Sequence, residues 1–263
     1  MRAQVEIPAG EEIFNRYTEW DMVSRHSRHQ QLHCEQGRLE RSELVRDSWH
    51  FSCHCIRCSD PSDLGTEWDS LQCGQCGGVA RPELGAGGGA VSGWSCVVAD
   101  CSWRLGAGEV AAREARLAQE LAGARGRVDR LEQLLEGGGP PRLHRNHHLL
   151  VSTRAELART LAARLRAQAT AGSGKSWGLK AVRRVVELCQ QVLAVLDRLD
   201  RGLSEVRADI IAELSAPQLM LLQVTQEDTL ASKYLFQCSS TTGGQVSSRR
   251  TRSRRSSPSL SRG

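Results

Sequence analysis

The chain has 263 residues, a formal net charge of +5, 40% hydrophobic residues and 4% aromatic residues. Its length allows one or two domains, and no apolar run is long enough to span a membrane. The charge is uneven, because residues 238–263 contain six arginines and no acidic residue. Subtracting these six charges leaves the rest of the chain at −1, so any nucleic-acid binding would depend on this tail alone.

The first residues predict two short strands, Gln4–Ile7 and Ile13–Tyr17, joined by a turn at residues 8–10. An isolated hairpin is marginally stable in water, so we expect this pair to belong to a larger sheet with sequence upstream of it. A polar segment at 20–32 is predicted to be helical. The charged segment at 37–47 looks like an insertion.

Histidines in and just after the predicted polar helix, His26, His29 and His33, raise the possibility of a metal site. Their spacing is loose and no carboxylate partner stands out, which favours a solvated helix face instead.

Two cysteine pairs predict a metal site. Cys73-x2-Cys76 and Cys96-x4-Cys101 are separated by a glycine-rich span. Two such pairs can present four thiolates to one tetrahedral zinc ion. Disulfides are the alternative, but residues 1–13 are too polar to be a signal peptide, and paired cysteines outside an oxidising compartment favour metal.

A second cysteine group lies just before them. Cys53-x-Cys55-x2-Cys58 supplies three sulfur ligands and leaves the fourth ligand undetermined. His33, Cys34 and His50 are candidates for that fourth position.

The second half of the chain is predicted to be helical. Apolar residues at intervals of three and four predict an amphipathic helix over Val110–Leu135. Asn146 suits the N-cap of a helix that runs to about Ala169. Helices are also predicted at Leu179–Leu199, Ser204–Leu214 and Ala216–Val224.

Three other features favour ordinary structural roles. Cys189 lies alone on an apolar helix face, as a buried structural thiol does. Gly174-Lys175-Ser176 resembles part of a phosphate-binding loop, but the required upstream glycine and strand are absent, which favours a linker. From Cys238 onward the composition predicts disorder, and the arginine- and serine-rich tail could bind RNA or an import receptor or simply be solvated.

The order of motifs resembles the C-terminal part of the SET and MYND domain (SMYD) family, of the divergent arthropod type. RAQVEIPAGEEIFNRY is similar to the end of the SET domain, and WHFSCHCIRCSDPSDLGT is similar to the post-SET segment. LQCGQCGG and GWSCVVADC resemble a second cysteine set. LHRNHHLL and the sequence from Val186 to Leu214 resemble the C-terminal helices.

The resemblance implies an α+β fold with four parts. These are the end of a SET domain with an insertion (1–48), a post-SET segment with two zinc sites (49–104), an all-α, TPR-like domain (105–236) and a disordered tail (237–263). The seven ligands would be Cys53, Cys55, Cys58, Cys73, Cys76, Cys96 and Cys101.

The implied activity is transfer of a methyl group from S-adenosylmethionine to a protein lysine. Tyr17 would orient the lysine amine, and Trp49 or Phe51 would line the lysine channel. The MYND finger is absent from the sequence. So is the part of the SET domain that carries the Gly-x-Gly cofactor loop and the cysteine that completes the post-SET zinc site. We therefore expect a fragment that is inactive alone and binds S-adenosylmethionine only as part of an intact parent protein.

The alternative is a non-catalytic, zinc-stabilised protein-interaction module. In either case the expected partner is a protein, bound through the helical region, with no membrane association and a cytoplasmic or nuclear location.

Overall fold

The structure is a computed structural model, and it describes residues 8–10, 37–84, 91–136, 139–170, 178–199 and 205–222. Tyr17, the two N-terminal strands, the helix at 20–32 and the arginine-rich tail lie outside these ranges. The predicted turn is present, with Gly10 at a φ of 91°. Contacts divide the chain into two compact units, Met1–Leu221 and Leu222–Gly263.

The architecture is α+β, as predicted, with a small antiparallel sheet followed by helices. The strands are β1 (Leu71–Gln72), β2 (Val79–Leu84), β3 (Val91–Cys96), β4 (Arg104–Gly106) and β5 (Arg142–Leu143), in the order β4-β3-β2-β1-β5. Their core contains Leu71, Ala80, Val91, Trp94 and Val110. The segment that contains the two cysteine pairs therefore forms a sheet with its own small core.

Two helices precede this sheet. They are α1 (Arg38–Trp49) and the single-turn α2 (Ile56–Ser59). The segment interpreted as an insertion is thus a helix. It is joined to the residues that follow by polar contacts, since the Arg38 Nε donates to the Cys58 carbonyl at 2.7 Å.

The helices of the second half are α3 (Ala107–Ala124), α4 (Val128–Glu136), α5 (His148–Thr170), α6 (Leu179–Leu199) and α7 (205–222). Neighbouring helices pack in pairs, α3 on α4, α4 on α5 and α5 on α6, and Val206 and Ile210 of α7 join the same core. Among the described residues, no helix is both long and apolar enough to cross a membrane.

Three of the helix predictions need correction. The helix predicted over Val110–Leu135 is broken, because Gly126 adopts a φ of 72° between α3 and α4. The two helices predicted at 204–214 and 216–224 are one helix, α7. Pro217 lies inside it and is buried, so packing of its ring offsets the hydrogen bond that proline cannot donate.

The N-cap of α5 is also one residue later than predicted. His147 precedes the helix, and its Nδ1 accepts a hydrogen bond from the Leu149 N–H at 3.4 Å. Asn146 instead lies one residue further out. The α6 bounds and the burial of Cys189 agree with the predictions.

Candidate metal centre

The structure brings the four cysteines of the two predicted pairs together. The Cys73 and Cys101 Sγ atoms lie 3.6 Å apart, and those of Cys76 and Cys96 lie 3.5 Å apart. All four sulfurs are within 4.8 Å of one another. The edge of a tetrahedron of four sulfurs around zinc is about 3.8 Å, given Zn–S distances of about 2.3 Å. The donor set and its spacing therefore fit a tetrahedral metal ion, and we call it the four-cysteine site.

Local backbone geometry explains the first cysteine pair. The chain turns back after β1, with the Cys73 N–H donating to the Gly78 carbonyl and the Gly77 N–H to the Cys73 carbonyl. Gly77 has a φ of 74°, which a residue with a Cβ rarely adopts. The N–H groups of Gln75 and Cys76 point at the Cys73 sulfur, at 3.4 and 3.5 Å. These donors stabilise a thiolate at Cys73.

The second pair is supplied by the end of β3 and the turn after it. The Cys96 N–H donates to the Trp103 carbonyl, and the Cys101 N–H donates to the Val98 carbonyl. Because β2 pairs with β3 in antiparallel register, with Ala80 opposite Cys96, the strand pairing brings the two cysteine turns together.

The thiols of the four-cysteine site differ in how readily they ionise. Burial raises the pKa of Cys73, but the N–H groups of Cys76 and Gln75 and the neighbouring thiols lower it to about 6. The Val98 N–H lowers the pKa of Cys96, but burial and the neighbouring thiols outweigh it and raise that pKa to about 12. One thiolate forms readily and the next does not. A cation bound among the sulfurs would favour their thiolate forms.

The three cysteines of the earlier group also converge, and we call them the three-cysteine site. The sulfurs of Cys53, Cys55 and Cys58 lie within 4.8 Å of one another. Cys55 is the N-cap of α2, and its sulfur accepts from the Cys58 N–H at 3.5 Å. Burial raises the pKa of Cys58 to about 12, against the opposing effect of Arg41.

No fourth ligand joins the three-cysteine site among the residues that the structure describes. Of the fourth-ligand candidates, His33 and Cys34 lie outside those residues, and His50 is described but does not belong to the cluster.

A buried ion-pair network positions the three-cysteine site, and no local sequence pattern predicts it. The Asp63 carboxylate accepts from both Arg41 terminal nitrogens, at 2.9 and 3.1 Å, and from the Arg57 Nε at 2.7 Å. The Arg41 and Asp63 side chains are only 4% and 3% exposed. Arg41 belongs to α1 and Arg57 to α2, so this carboxylate holds the two helices together beside the sulfurs.

Large apolar side chains lie exposed on the same segment. Trp49 is 54% exposed, Phe51 37% and Ile56 77%. Trp49 and Phe51 were the candidates for an aromatic channel lining. Exposed apolar side chains of this size are typical of surfaces that contact another protein.

A third group, Glu114, His147 and His148, is compact enough to bind a metal and was not predicted. Its hydrogen bonds give it another role. Because the His147 Nδ1 accepts the capping bond from Leu149, the proton of the neutral ring is on Nε2, which donates to the Glu114 Oε1 at 3.0 Å. This arrangement caps α5 and ties it to α3.

Comparison with models of known protein families gives no match, and comparison with curated proteins gives no similar sequence.

Proposed function

We propose that this chain is a zinc-stabilised, C-terminal region of a SET and MYND type protein-lysine methyltransferase, which alone binds partners and does not catalyse. The order of its sequence motifs supports the family. The geometry of the four-cysteine site supports a structural role for zinc, because four protein sulfurs would fill the tetrahedral coordination of the ion and leave no position for a substrate.

The main observation in support of the proposal is the arrangement of the three-cysteine site. Its three sulfurs lie on the same segment as the exposed Trp49, Phe51 and Ile56. In the resembled family, a cysteine from the body of the SET domain completes this set, and the post-SET segment then covers the lysine channel. An open sulfur set with apolar neighbours is the surface that such docking requires.

The chemistry in an intact enzyme would be transfer of a methyl group from the sulfonium of S-adenosylmethionine to a neutral lysine amine. Positioning and electrostatics supply most of such catalysis. We propose that Tyr17 orients the amine and that Phe51 or Trp49 lines its channel. We propose that S-adenosylmethionine binds only in the intact enzyme.

Metal content tests the first part of the proposal. Native mass spectrometry of the full chain after zinc-replete expression should show one firmly held zinc ion and a second, weaker one. Cys76→Ser should lose the firm ion and Cys55→Ser the weak one. Cys189→Ala is the matched control, because its thiol is buried in the helical core. A wild-type chain without metal would contradict the proposal.

Catalysis tests the second part. Isothermal titration with S-adenosylmethionine and methylation assays on histone and cytosolic protein mixtures should show neither cofactor binding nor methyl transfer by the chain alone. Turnover that Tyr17→Phe abolishes would show that the chain itself is the enzyme.

A non-catalytic interaction module is the second candidate. The exposed apolar side chains beside the three-cysteine site favour it equally, because they suit any protein partner. In that case the three-cysteine site would never form part of a methyl-transfer channel.

A further inference from the structure

A cavity of about 570 Å³ lies between the turn that follows β1 and the helices α3, α4 and α5. This volume is in the range of small-molecule sites. The charged residues that line it are four arginines and one carboxylate, namely Arg113, Arg142, Arg145, Arg154 and Glu136. The proposed zinc and methyltransferase functions assign no role to any of them.

Three of these arginines have no internal counterion among the described residues. Within those ranges, the side chains of Arg142, Arg145 and Arg154 make no hydrogen bond or ion pair, although the Arg184 side chain binds Glu132 at 2.7 Å. Arg142 and Arg145 are exposed at the cavity, whereas Arg154 is half-buried. A half-buried guanidinium is normally paired, so its position beside two further cations indicates that something else neutralises this cavity.

The positive groups at this cavity lie close enough together to lower one another's pKa. Burial, and then the charges of Arg184 and Arg145, lower the pKa of Arg154. Burial also lowers the pKa of His144, and Arg145 and Arg154 lower it further, whereas Glu67 acts in the opposite direction. The positive groups are close enough to act on one another, and a bound anion would relieve that repulsion.

The rest of the lining is largely apolar. Leu117, Leu134, Leu135, Leu143 and Leu150 provide it. A ligand that fits both surfaces has an anionic group for the guanidiniums and an organic body for the leucines. Guanidinium groups bind phosphate through paired, parallel hydrogen bonds, so several of them suit a doubly charged phosphate better than a single carboxylate.

We propose that this cavity binds a small organic phosphate, with Arg145 and Arg154 holding the phosphate group and the leucines holding the organic part. The inference stands independently of the proposed methyltransferase, because it uses neither the three-cysteine site nor Tyr17.

The test is isothermal titration of the full, zinc-loaded chain with phenyl phosphate, inorganic phosphate and phenol at one ionic strength. Phenyl phosphate should bind saturably and more tightly than inorganic phosphate, and phenol should not bind. Arg154→Gln and Arg145→Gln should each weaken binding by about tenfold or more, since each removes charged hydrogen-bond donors to the phosphate group.

Arg46→Gln is the matched control, since Arg46 is exposed on α1 and pairs with Asp47. It should leave the affinity unchanged. Arg145 is exposed, so its variant should fold even if the Arg154 variant does not. The proposal is overturned if phenyl phosphate does not saturate, if phenol binds equally well, or if Arg145→Gln binds as tightly as the wild type.

Discussion

Asp63, near the three-cysteine site, combines a left-handed backbone conformation with a buried, charged side chain. It has a φ of 52° and a buried carboxylate that accepts hydrogen bonds from arginines on two helices. Short side chains such as aspartate tolerate this left-handed conformation better than most residues. The carboxylate neutralises charge that would otherwise be buried between α1 and α2.

Asp63→Ala should destabilise the protein by about 3–5 kcal/mol, because it leaves the buried Arg41 without its counterion. Urea unfolding measures this loss. Asp47→Ala is the control, since its side chain is 73% exposed and should change the stability little. If both variants unfold at the same urea concentration, the buried pair does not stabilise the fold.

The histidine that caps α5 makes stability depend on pH. Burial, then the charge of His148, lower the pKa of His147 to about 4 against the opposing effect of Glu114. Because the folded pKa is below the ordinary 6.5, this contribution to stability is present above pH 6.5 and is lost as the pH falls toward 4. Asp69 acts in the opposite sense, since burial raises its pKa to about 6.

His147→Asn keeps a side-chain acceptor for the cap and removes the ionisable ring. The variant should be less stable than the wild type at pH 7, and the difference should shrink at pH 5. Urea unfolding at the two pH values measures it. Zinc release and Asp69 affect both proteins alike, so they cancel from the difference. A difference that is the same at both pH values would contradict this role of His147.

At the scale of elements, α6 shows how much of a helix can be predicted from the spacing of its apolar residues. Its apolar residues recur every three or four positions, and its predicted and observed bounds are both Leu179–Leu199. Its buried residues lie on more than one narrow stripe, since Val185, Leu188, Val192 and Val195 are buried together with Val182, Val186, Cys189 and Leu196. A helix covered by neighbours on several sides buries more than one narrow stripe.

Val186→Asp should destabilise the helical core by about 3 kcal/mol or more, because Val186 is 8% exposed and the new carboxylate would have no counterion. Thermal unfolding followed by circular dichroism measures the effect. Gln190→Asp, at an exposed position of α6, is the control. Equal melting temperatures for the two variants would show that this face is not core.

Other elements could not be predicted from their own residues. The α1 helix packs largely through polar contacts, so its sequence has no strong apolar periodicity. Strands β1 and β5 have two residues each, and a pair of residues carries no pattern. The cysteine sets could be predicted, since metal ligands have characteristic spacing. The arginines that support them could not, because ion pairs such as Arg41 with Asp63 leave no local signal.

At the scale of the whole molecule, the metal centre and the helices are connected. Trp68 lies just before β1 and is 1% exposed in the helical core. Its carbonyl accepts from the His148 N–H at the start of α5, and the Ser70 carbonyl accepts from the His144 N–H. The residues that lead into β1, and so into the four-cysteine site, are therefore hydrogen-bonded to α5 and to the residues just before it.

Removal of zinc should consequently destabilise the helices as well as the sheet. A strong chelator should lower the temperature at which the helical circular dichroism signal is lost, because metal binding free energy is shared with folding. Cys76→Ser should already melt at the lower temperature and should respond less to the chelator than the wild type, because only the three-cysteine site is left to bind zinc. If the chelator leaves the melting temperature of the helices in the wild type unchanged, the sheet and the helices unfold independently.

The position of β5 at the far edge of the sheet also bears on how the chain folds. Strands β1 to β4 follow one another closely in the sequence, so they can pair early in folding. Leu143, which pairs with Leu71, follows it only after roughly 70 intervening residues that include α3 and α4. Closing so long a loop is slow compared with forming a local hairpin. We expect the β1–β5 pairing to form late in folding, so that a nascent chain could capture its metal before the sheet is complete.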